Sequence, residues 1–105
     1  KESIIPGDKK GRCYICGSHV NIQNHHIFFG NGNRTNSDYC GLTVHLCLEH
    51  HKEGKMSAHK NREVNYRLRQ IAQRAFEREH GSREQFMKIF GENCLGEDEK
   101  KDVYE

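Results

Sequence analysis

Four residues that commonly bind zinc fall into two pairs, each with two intervening residues. Cys13 and Cys16 form the first pair, and Cys47 and His50 form the second. Zinc prefers four nitrogen or sulfur ligands in a tetrahedron, which two tight turns that each donate two ligands can provide. The spacing therefore predicts a closed, structural zinc site with three cysteines and one histidine. Cys40 is an alternative ligand, although it lies outside both spacings.

Three further histidines are not needed by that zinc. His25 and His26 are adjacent, and His51 directly follows the predicted zinc ligand His50. Neighbouring side chains on an extended strand point to opposite faces, so His25 and His26 cannot readily bind one ion together. One of them can bind a metal ion while the other acts as a base, provided that His51 supplies a second ligand. This arrangement predicts a reactive metal site next to the structural one.

The order of these groups resembles the HNH endonucleases of the ββα-metal superfamily. Over residues 12–59 the chain has CxxC, then HHI, a loop, a second strand that ends in LC, and then LEHH. The resemblance implies that His25 is the first ligand of the catalytic ion, that His26 is the general base, and that His51 is the ligand on the helix. His50 stands where the family has the second Cys of a CxxC. The stretches HHIFFGNGN and LCLEHH, with a later Ala-His, are most similar to phage-type nucleases associated with recombination.

The chain departs from the family pattern at its middle asparagine. That position falls at about Leu42. Asn33 or Asn36 from the preceding loop could replace it, or a backbone contact could, and the sequence does not distinguish these alternatives.

A second departure concerns the third ligand of the catalytic ion. In some members it lies one helical turn after the helix histidine, which here would be Lys55. His59 lies eight residues after His51, beyond Gly54. If the chain bends back there, His59 reaches the ion, and it is predicted to be a ligand.

The resemblance implies hydrolysis of DNA phosphodiester bonds with low sequence specificity. Such a reaction needs a base, here His26, and a cation over the phosphate. Imidazole ligands suit Zn, Ni, Mn or Co better than Mg, which an open hydrated site can still admit. Five basic residues are predicted to contact DNA phosphates without reading bases: Arg34, Lys52, Lys55, Lys60 and Arg62.

Two other functions remain open at this point. One is a non-catalytic zinc module that binds DNA or a protein, in which the extra histidines are structural. The other is a zinc-dependent hydrolase of a different substrate class. That hydrolase would need a glutamate base, as in HExxH, and the nearest stretch, Glu49-His50-His51, has the wrong order.

Composition limits the class of protein. The chain has 105 residues, of which 33% are hydrophobic, with five cysteines and eight histidines. Such a length predicts one domain, and the lean core suggests that metal binding supplements hydrophobic burial. The odd number of cysteines and the absence of an export signal or a long apolar run predict a cytoplasmic protein with metal-bound thiols and no membrane contact. No organic cofactor is predicted, and the oligomeric state is left open.

Charge is distributed unevenly along the chain. Residues 52–88 contain 10 Lys and Arg against 5 Asp and Glu, whereas residues 89–105 contain 2 against 6. A basic segment beside an acidic tail is typical of nucleic-acid-binding proteins, although a solvated helix face gives the same pattern. The predicted partner is DNA.

These residues must be positioned by an α+β fold, a small zinc-stabilised ββα-metal (HNH) domain followed by two C-terminal helices. Strands are predicted at residues 25–29 and 42–46, joined by a loop over residues 30–40. A short helix follows Cys47 and is interrupted by Gly54. In the second strand, alternation places three apolar residues on one face: Leu42, Val44 and Leu46.

Two capped helices are predicted in the second half. Asn61 caps a helix over residues 62–80, and Ser82 with Gln85 forms a capping box for a second helix that ends at Gly91. The apolar stripe of the first helix consists of Val64, Leu68, Ile71, Ala72, Ala75 and Phe76. The buried residues of the second are predicted to be Phe86, Ile89 and Phe90, and both helices are expected to pack on the metal-binding half.

The predicted organisation is a flexible lead-in at residues 1–11, one nuclease domain at 12–95, and an acidic, disordered tail at 96–105. Within the domain, residues 12–59 form the zinc-clipped motif and residues 61–91 the helical part. Cys94 is expected to pack or to belong to the tail, and His19 to lie in a turn.

Overall fold

The computed structural model describes residues 2–30 and 32–96, and the predicted acidic tail lies outside the described residues except for Gly96. The fold is α+β, as predicted. The elements in chain order are strand β1 (Ile22–His26), helix α1 (Asn33–Cys40), strand β2 (Thr43–Cys47), a π-helix (Glu49–Glu53), helix α2 (Arg62–Glu79) and helix α3 (Arg83–Phe90).

The two strands pair in an antiparallel sheet. His25 lies opposite Val44, and His26 lies opposite Thr43. The predicted alternation of β2 is confirmed, since Leu42, Val44 and Leu46 are fully buried. Strand β1 begins three residues earlier than predicted and ends at His26, which places both histidines at its end.

The segment that was predicted to be a loop contains helix α1, so that prediction is wrong. The helix lies between Gly32 and Gly41, whose φ angles of 85° and 75° are left-handed conformations that favour glycine. A Cβ at Gly41 would also lie 2.7 Å from the Glu2 carbonyl oxygen. The sequence pattern did not indicate α1 because this helix is polar and buries few residues. One of them, Ser37, holds the chain after β1: its hydroxyl accepts a hydrogen bond from the Phe28 N–H and donates one to the Phe28 carbonyl.

The caps of the C-terminal helices agree with the sequence. The Asn61 Oδ1 atom accepts a hydrogen bond from the Val64 backbone N–H at 3.0 Å, and Ser82 with Gln85 forms the predicted capping box. Gly91 ends α3 with φ 79°. No helix within the described residues combines the length and the apolar character that a membrane span requires.

An aromatic cluster joins these helices to the sheet half. The Phe28 ring centroid, from the segment after β1, lies 5.3 Å from that of Phe86 and 4.8 Å from that of Phe90, and Phe76 of α2 is 5.4 Å from Phe86. Ile89 is 41% exposed, so its predicted burial is wrong. Helix α3 has only two turns, so it buries a single narrow stripe of side chains, which consists of Phe86 and Phe90 at i, i+4 spacing and leaves Ile89 outside it.

The segment before the first cysteine packs on the sheet. Ile5 is buried in the core, and the Ile4 backbone N–H donates to the Gly41 carbonyl at 2.9 Å. The buried Asp8 carboxylate accepts the backbone N–H of His45 at 2.8 Å and lies 2.8 Å from the His45 Nδ1 atom. The contacts of Ile4, Ile5 and Asp8 thus attach to the sheet a segment that the sequence predicts to be a flexible lead-in.

Candidate metal centres

The four predicted zinc ligands lie in one cluster. The ligand atoms of Cys13, Cys16, Cys47 and His50 are all within 4.8 Å of one another. The Cys16 and Cys47 sulfurs are 3.8 Å apart, and the Cys13 sulfur is 3.8 Å from His50 Nδ1. Two sulfurs bound to one tetrahedral zinc are separated by about 3.8 Å. The cluster can therefore hold a metal ion such as zinc.

Short backbone hydrogen bonds build this cluster. The Gly17 N–H donates to the Cys13 carbonyl at 2.9 Å and the Cys13 N–H to the Ser18 carbonyl at 2.8 Å, which closes the turn. The Tyr14 N–H donates to the His45 carbonyl at 2.7 Å and fixes the turn on β2. Cys47 ends β2, so both ligand pairs meet at the same end of the strand.

The surroundings of the two buried sulfurs act in opposite directions, favouring the thiolate at Cys13 and disfavouring it at Cys47. Burial raises the pKa of the Cys13 thiol, but hydrogen bonds from the Cys47, Cys16 and Ile15 backbone and from the Cys16 side chain outweigh burial and lower that pKa to about 6. Burial raises the pKa of the Cys47 thiol. Because zinc binds thiolates, the ion would favour deprotonation of both groups.

The two remaining cysteines lie outside the cluster. Cys40 is buried at the end of α1, so the alternative in which it replaces a zinc ligand does not fit the structure. Burial and the neighbouring Glu92 carboxylate raise the pKa of the Cys94 thiol to about 12. Cys94 therefore packs as a neutral side chain, as expected.

A second cluster joins His25, His51 and His59, whose ligand atoms also lie within 4.8 Å of one another. The Nε2 atoms of His51 and His59 are 3.3 Å apart. Two imidazole nitrogens on one tetrahedral ion are separated by about 3.3 Å. The Nε2 atom of His25 is buried and has no hydrogen-bond partner in the structure. A buried nitrogen without a partner is costly unless it is a ligand, so these residues fit a divalent ion.

Gln23 fixes the orientation of one of these histidines. Its Oε1 atom lies 2.6 Å from the Nδ1 atom of His51. The amide oxygen only accepts, so Nδ1 carries the proton and the Nε2 lone pair is left for a metal ion. Sequence reasoning missed Gln23. Its position two residues before His25, on the same face of β1, is the signal that could have found it.

All three histidines of the cluster are held in the neutral form that a ligand requires. Burial is the main cause that lowers the pKa of His25 to about 3, and the neighbouring histidines and Arg69 add to it. Burial, followed by the charges of neighbouring groups, lowers the pKa of His51 to about 4. Burial and Lys52 also lower the pKa of His59.

The backbone between His51 and His59 bends back at Gly54. The Gly54 N–H donates to the Glu49 carbonyl at 2.8 Å, five residues earlier, and the His59 N–H donates to the His51 carbonyl at 3.2 Å. A Cβ on Gly54 would lie 2.7 Å from the Glu49 carbonyl oxygen. Lys55, the position that the family pattern would favour for the third ligand, is exposed and lies outside the cluster.

A cavity of about 270 Å³ opens beside the histidine cluster. It is lined by Asn24, His25, His26, Phe29, Arg34, His51, Lys52 and His59. His26 therefore faces the same cavity as the three candidate ligands without belonging to their cluster. Its Nε2 atom lies 3.6 Å from the Oδ1 atom of Asp38, a residue that sequence reasoning missed.

The predicted DNA contacts divide into two groups. Arg34 and Lys52 line the cavity beside the histidine cluster, whereas Lys55, Lys60 and Arg62 do not. The Lys60 ammonium donates to the Glu53 carbonyl at 3.1 Å, and Arg62 lines a separate cavity on α2 with Tyr66.

The two asparagines considered as replacements for the family asparagine point elsewhere. The side-chain amide of Asn33 donates to the Phe90 carbonyl at 3.1 Å, and that of Asn36 donates to the Ile89 carbonyl at 3.4 Å. Both therefore attach α1 to the end of α3.

Phe29, which follows β1, packs on the histidine cluster and in turn contacts Arg69 of α2. The Phe29 ring centroid lies 5.2 Å from that of His59, and the Arg69 guanidinium carbon lies 5.4 Å from the Phe29 centroid.

The chain matches no family model, no curated protein and no solved structure.

Proposed function

We propose that the protein is a metal-dependent endonuclease of the HNH type that hydrolyses DNA phosphodiester bonds with low sequence specificity. The observation that supports this most strongly is the combination of two kinds of histidine in one cavity. Three histidines have ligand atoms close enough to share one ion, and a fourth, His26, faces the same cavity outside that cluster. A nuclease needs both a metal site and a separate base.

The two clusters suit different roles for their ions. Four ligands from cysteine and histidine would close the coordination shell of a structural zinc, whereas three ligands leave a position open for water or substrate. His25, His51 and His59 would hold a divalent cation, either Zn, Ni, Mn or Mg. When bound, that cation supplies positive charge that stabilises the phosphate oxygens during hydrolysis.

The protein residues would carry out the remaining steps. Water attacks phosphorus as His26 accepts one of its protons, the new phosphorus–oxygen bond forms, and the bond to the 3′ oxygen breaks. The leaving oxygen then takes a proton from solvent. Arg34 and Lys52 would bind the substrate phosphates at the cavity mouth.

Low sequence specificity follows from the type of contact. Arginine and lysine bound to phosphates position the DNA but do not distinguish its bases. Together with the resemblance of the motif to phage-type nucleases, this favours a DNA-processing role in a bacterial or phage-infected cell, in the cytoplasm. The second candidate function is a zinc module that binds DNA or a protein without cleaving it, which the closed cysteine cluster alone would support.

A plasmid assay with a metal count tests the proposal. Zinc-loaded protein, freed of loosely bound metal, is incubated with supercoiled plasmid and with Mg, Mn, Ni or Zn in turn. We expect nicking with at least one of these ions and two metal-binding sites per chain. If the chain binds plasmid and one zinc but no ion supports nicking, the non-catalytic module is the better description.

A further inference from the structure

We propose that Asp38 positions the base His26, in the place of the asparagine that the family pattern would put near Leu42. The inference rests on the proposed function, since it assigns a partner to the base of that reaction. It starts from one contact: the Asp38 Oδ1 atom lies 3.6 Å from the His26 Nε2 atom. Asp38 belongs to α1, a helix that the sequence did not reveal.

The other groups considered for this task are engaged elsewhere. The Asn33 and Asn36 amides donate to carbonyls at the end of α3. Leu42 is fully buried in the core and has no polar side-chain atom. Among the described residues, the Asp38 carboxylate is the one side-chain acceptor that the structure pairs with His26.

A carboxylate at Nε2 selects one form of the imidazole. An ionised carboxylate only accepts hydrogen bonds, so it favours the form in which Nε2 carries the proton. Nδ1 is then the nitrogen with the free lone pair that can take a proton from water. In a resting enzyme such contacts are often longer than a hydrogen bond and shorten when substrate binds, which fits 3.6 Å.

The position of Asp38 makes the inference testable without disturbing the fold. Its side chain is 54% exposed, whereas that of His26 is 16% exposed. The end of α1 depends on the Asp38 backbone carbonyl, which accepts the Gly41 N–H at 3.3 Å, and not on the carboxylate. Substitution of Asp38 should therefore leave helix α1 and both metal centres in place.

The test combines a spectroscopic and a kinetic measurement on the metal-loaded full chain. Long-range ¹H–¹⁵N correlation spectra report which imidazole nitrogen of His26 carries the proton. In the wild type we expect the Nε2-protonated form, and in Asp38→Ala a shift toward a mixture of the two forms. Plasmid nicking by Asp38→Ala should show a lowered kcat, by less than the roughly 10²–10⁴-fold that the whole base contributes, with KM and metal affinity unchanged.

Two control variants separate positioning from a general loss of charge. Asp38→Glu keeps a carboxylate on a longer side chain and should recover most of the rate. Glu79→Gln removes an exposed carboxylate from the end of α2, away from the cavity lining, and should cleave like the wild type.

Failure of this inference looks different from failure of the proposed function. Unchanged kcat together with unchanged His26 spectra in Asp38→Ala would overturn the role of Asp38, while wild-type cleavage would stand. If the wild type itself does not cleave, the proposed function fails, and the spectra alone then decide: a His26 proton position that depends on Asp38 supports the contact, and one that does not overturns it.

Discussion

The Nε2 atoms of His51 and His59 lie 3.3 Å apart although the two residues are eight positions apart in the chain. That separation requires a backbone that leaves the π-helix, turns at Gly54 and returns toward its start. Two candidate ligands thus come from one short segment, and the third, His25, comes from the end of β1.

The turn at Gly54 should tolerate no side chain. In Gly54→Ala the added Cβ would meet the Glu49 carbonyl oxygen at 2.7 Å, so the backbone must shift and His59 must move from His51. We expect a loss of about 1–3 kcal/mol in the free energy of unfolding, measured by denaturant titration, and weaker binding of the second metal ion. Gly96→Ala, whose Cβ would meet nothing within 4 Å, is the matched control and should change neither quantity.

Gln23 should control the affinity of the three-histidine centre. Gln23→Leu removes the acceptor 2.6 Å from His51 Nδ1, so the ring loses its fixed orientation. Metal affinity at this centre, measured by calorimetric titration, should fall about 10–100-fold. Gln23→Glu keeps an acceptor and should bind at least as tightly as the wild type. Equal affinities for the leucine variant and the wild type would show that Gln23 has no such role.

Zinc bound by Cys13, Cys16, Cys47 and His50 should be essential for folding. In zinc-finger peptides such sites contribute roughly 10–16 kcal/mol, which is comparable to the whole stability of a small domain. Cys13→Ser should therefore lose the zinc and the cooperative unfolding transition, measured by metal analysis and circular dichroism. Cys94→Ser changes a buried cysteine outside the cluster and should retain the zinc. A folded Cys13→Ser protein without zinc would refute the structural role.

Metal binding by the three histidines should depend weakly on pH near neutrality. With ordinary imidazole pKa values near 6.5, lowering the pH from 7.5 to 6.0 would weaken a three-histidine site about 50-fold through proton competition. Here the pKa values of His25 and His51 are lowered to about 3 and about 4, so both stay neutral over that range. Titrations at the two pH values should give affinities that differ by much less than 50-fold, and a full 50-fold loss would contradict the lowered values.

The same lowered pKa values determine how the stability of the folded chain changes with pH. Below about pH 6.5 an unfolded chain protonates its histidines, whereas in the folded chain His25 and His51 resist protonation down to their lowered pKa values. The unfolded state then binds more protons, so their contribution to stability is present above pH 6.5. It is lost as the pH falls through about 4 for His51 and about 3 for His25.

The sequence was most informative where ligand type and spacing are local. The CxxC and CxxH spacings predicted the cluster of Cys13, Cys16, Cys47 and His50, which can hold a metal ion. Asn61 and Ser82 predicted the starts of α2 and α3. The sequence also predicts that His25, His51 and His59 lie together, because Gly54 allows the chain between His51 and His59 to bend back.

Other features depend on contacts between distant segments. Gln23 acquires its role only when His51, 28 residues later, packs beside it. Helix α1 has little apolar periodicity, so neither the helix nor the contact of Asp38 with His26 could be read from the pattern. The burial of Ile5 and Asp8 likewise results from packing on β2 and not from any local signal.

The most direct test of the proposed function compares His26→Ala with His25→Ala in metal titration and plasmid nicking. A positioned base contributes about 10²–10⁴-fold to the rate. His26→Ala should therefore retain the second metal ion and lose cleavage by that factor, whereas His25→Ala should lose both the ion and the cleavage. Nicking by His26→Ala at the wild-type rate would contradict the assignment of the base, and equal loss of metal in the two variants would show that His26 is a ligand.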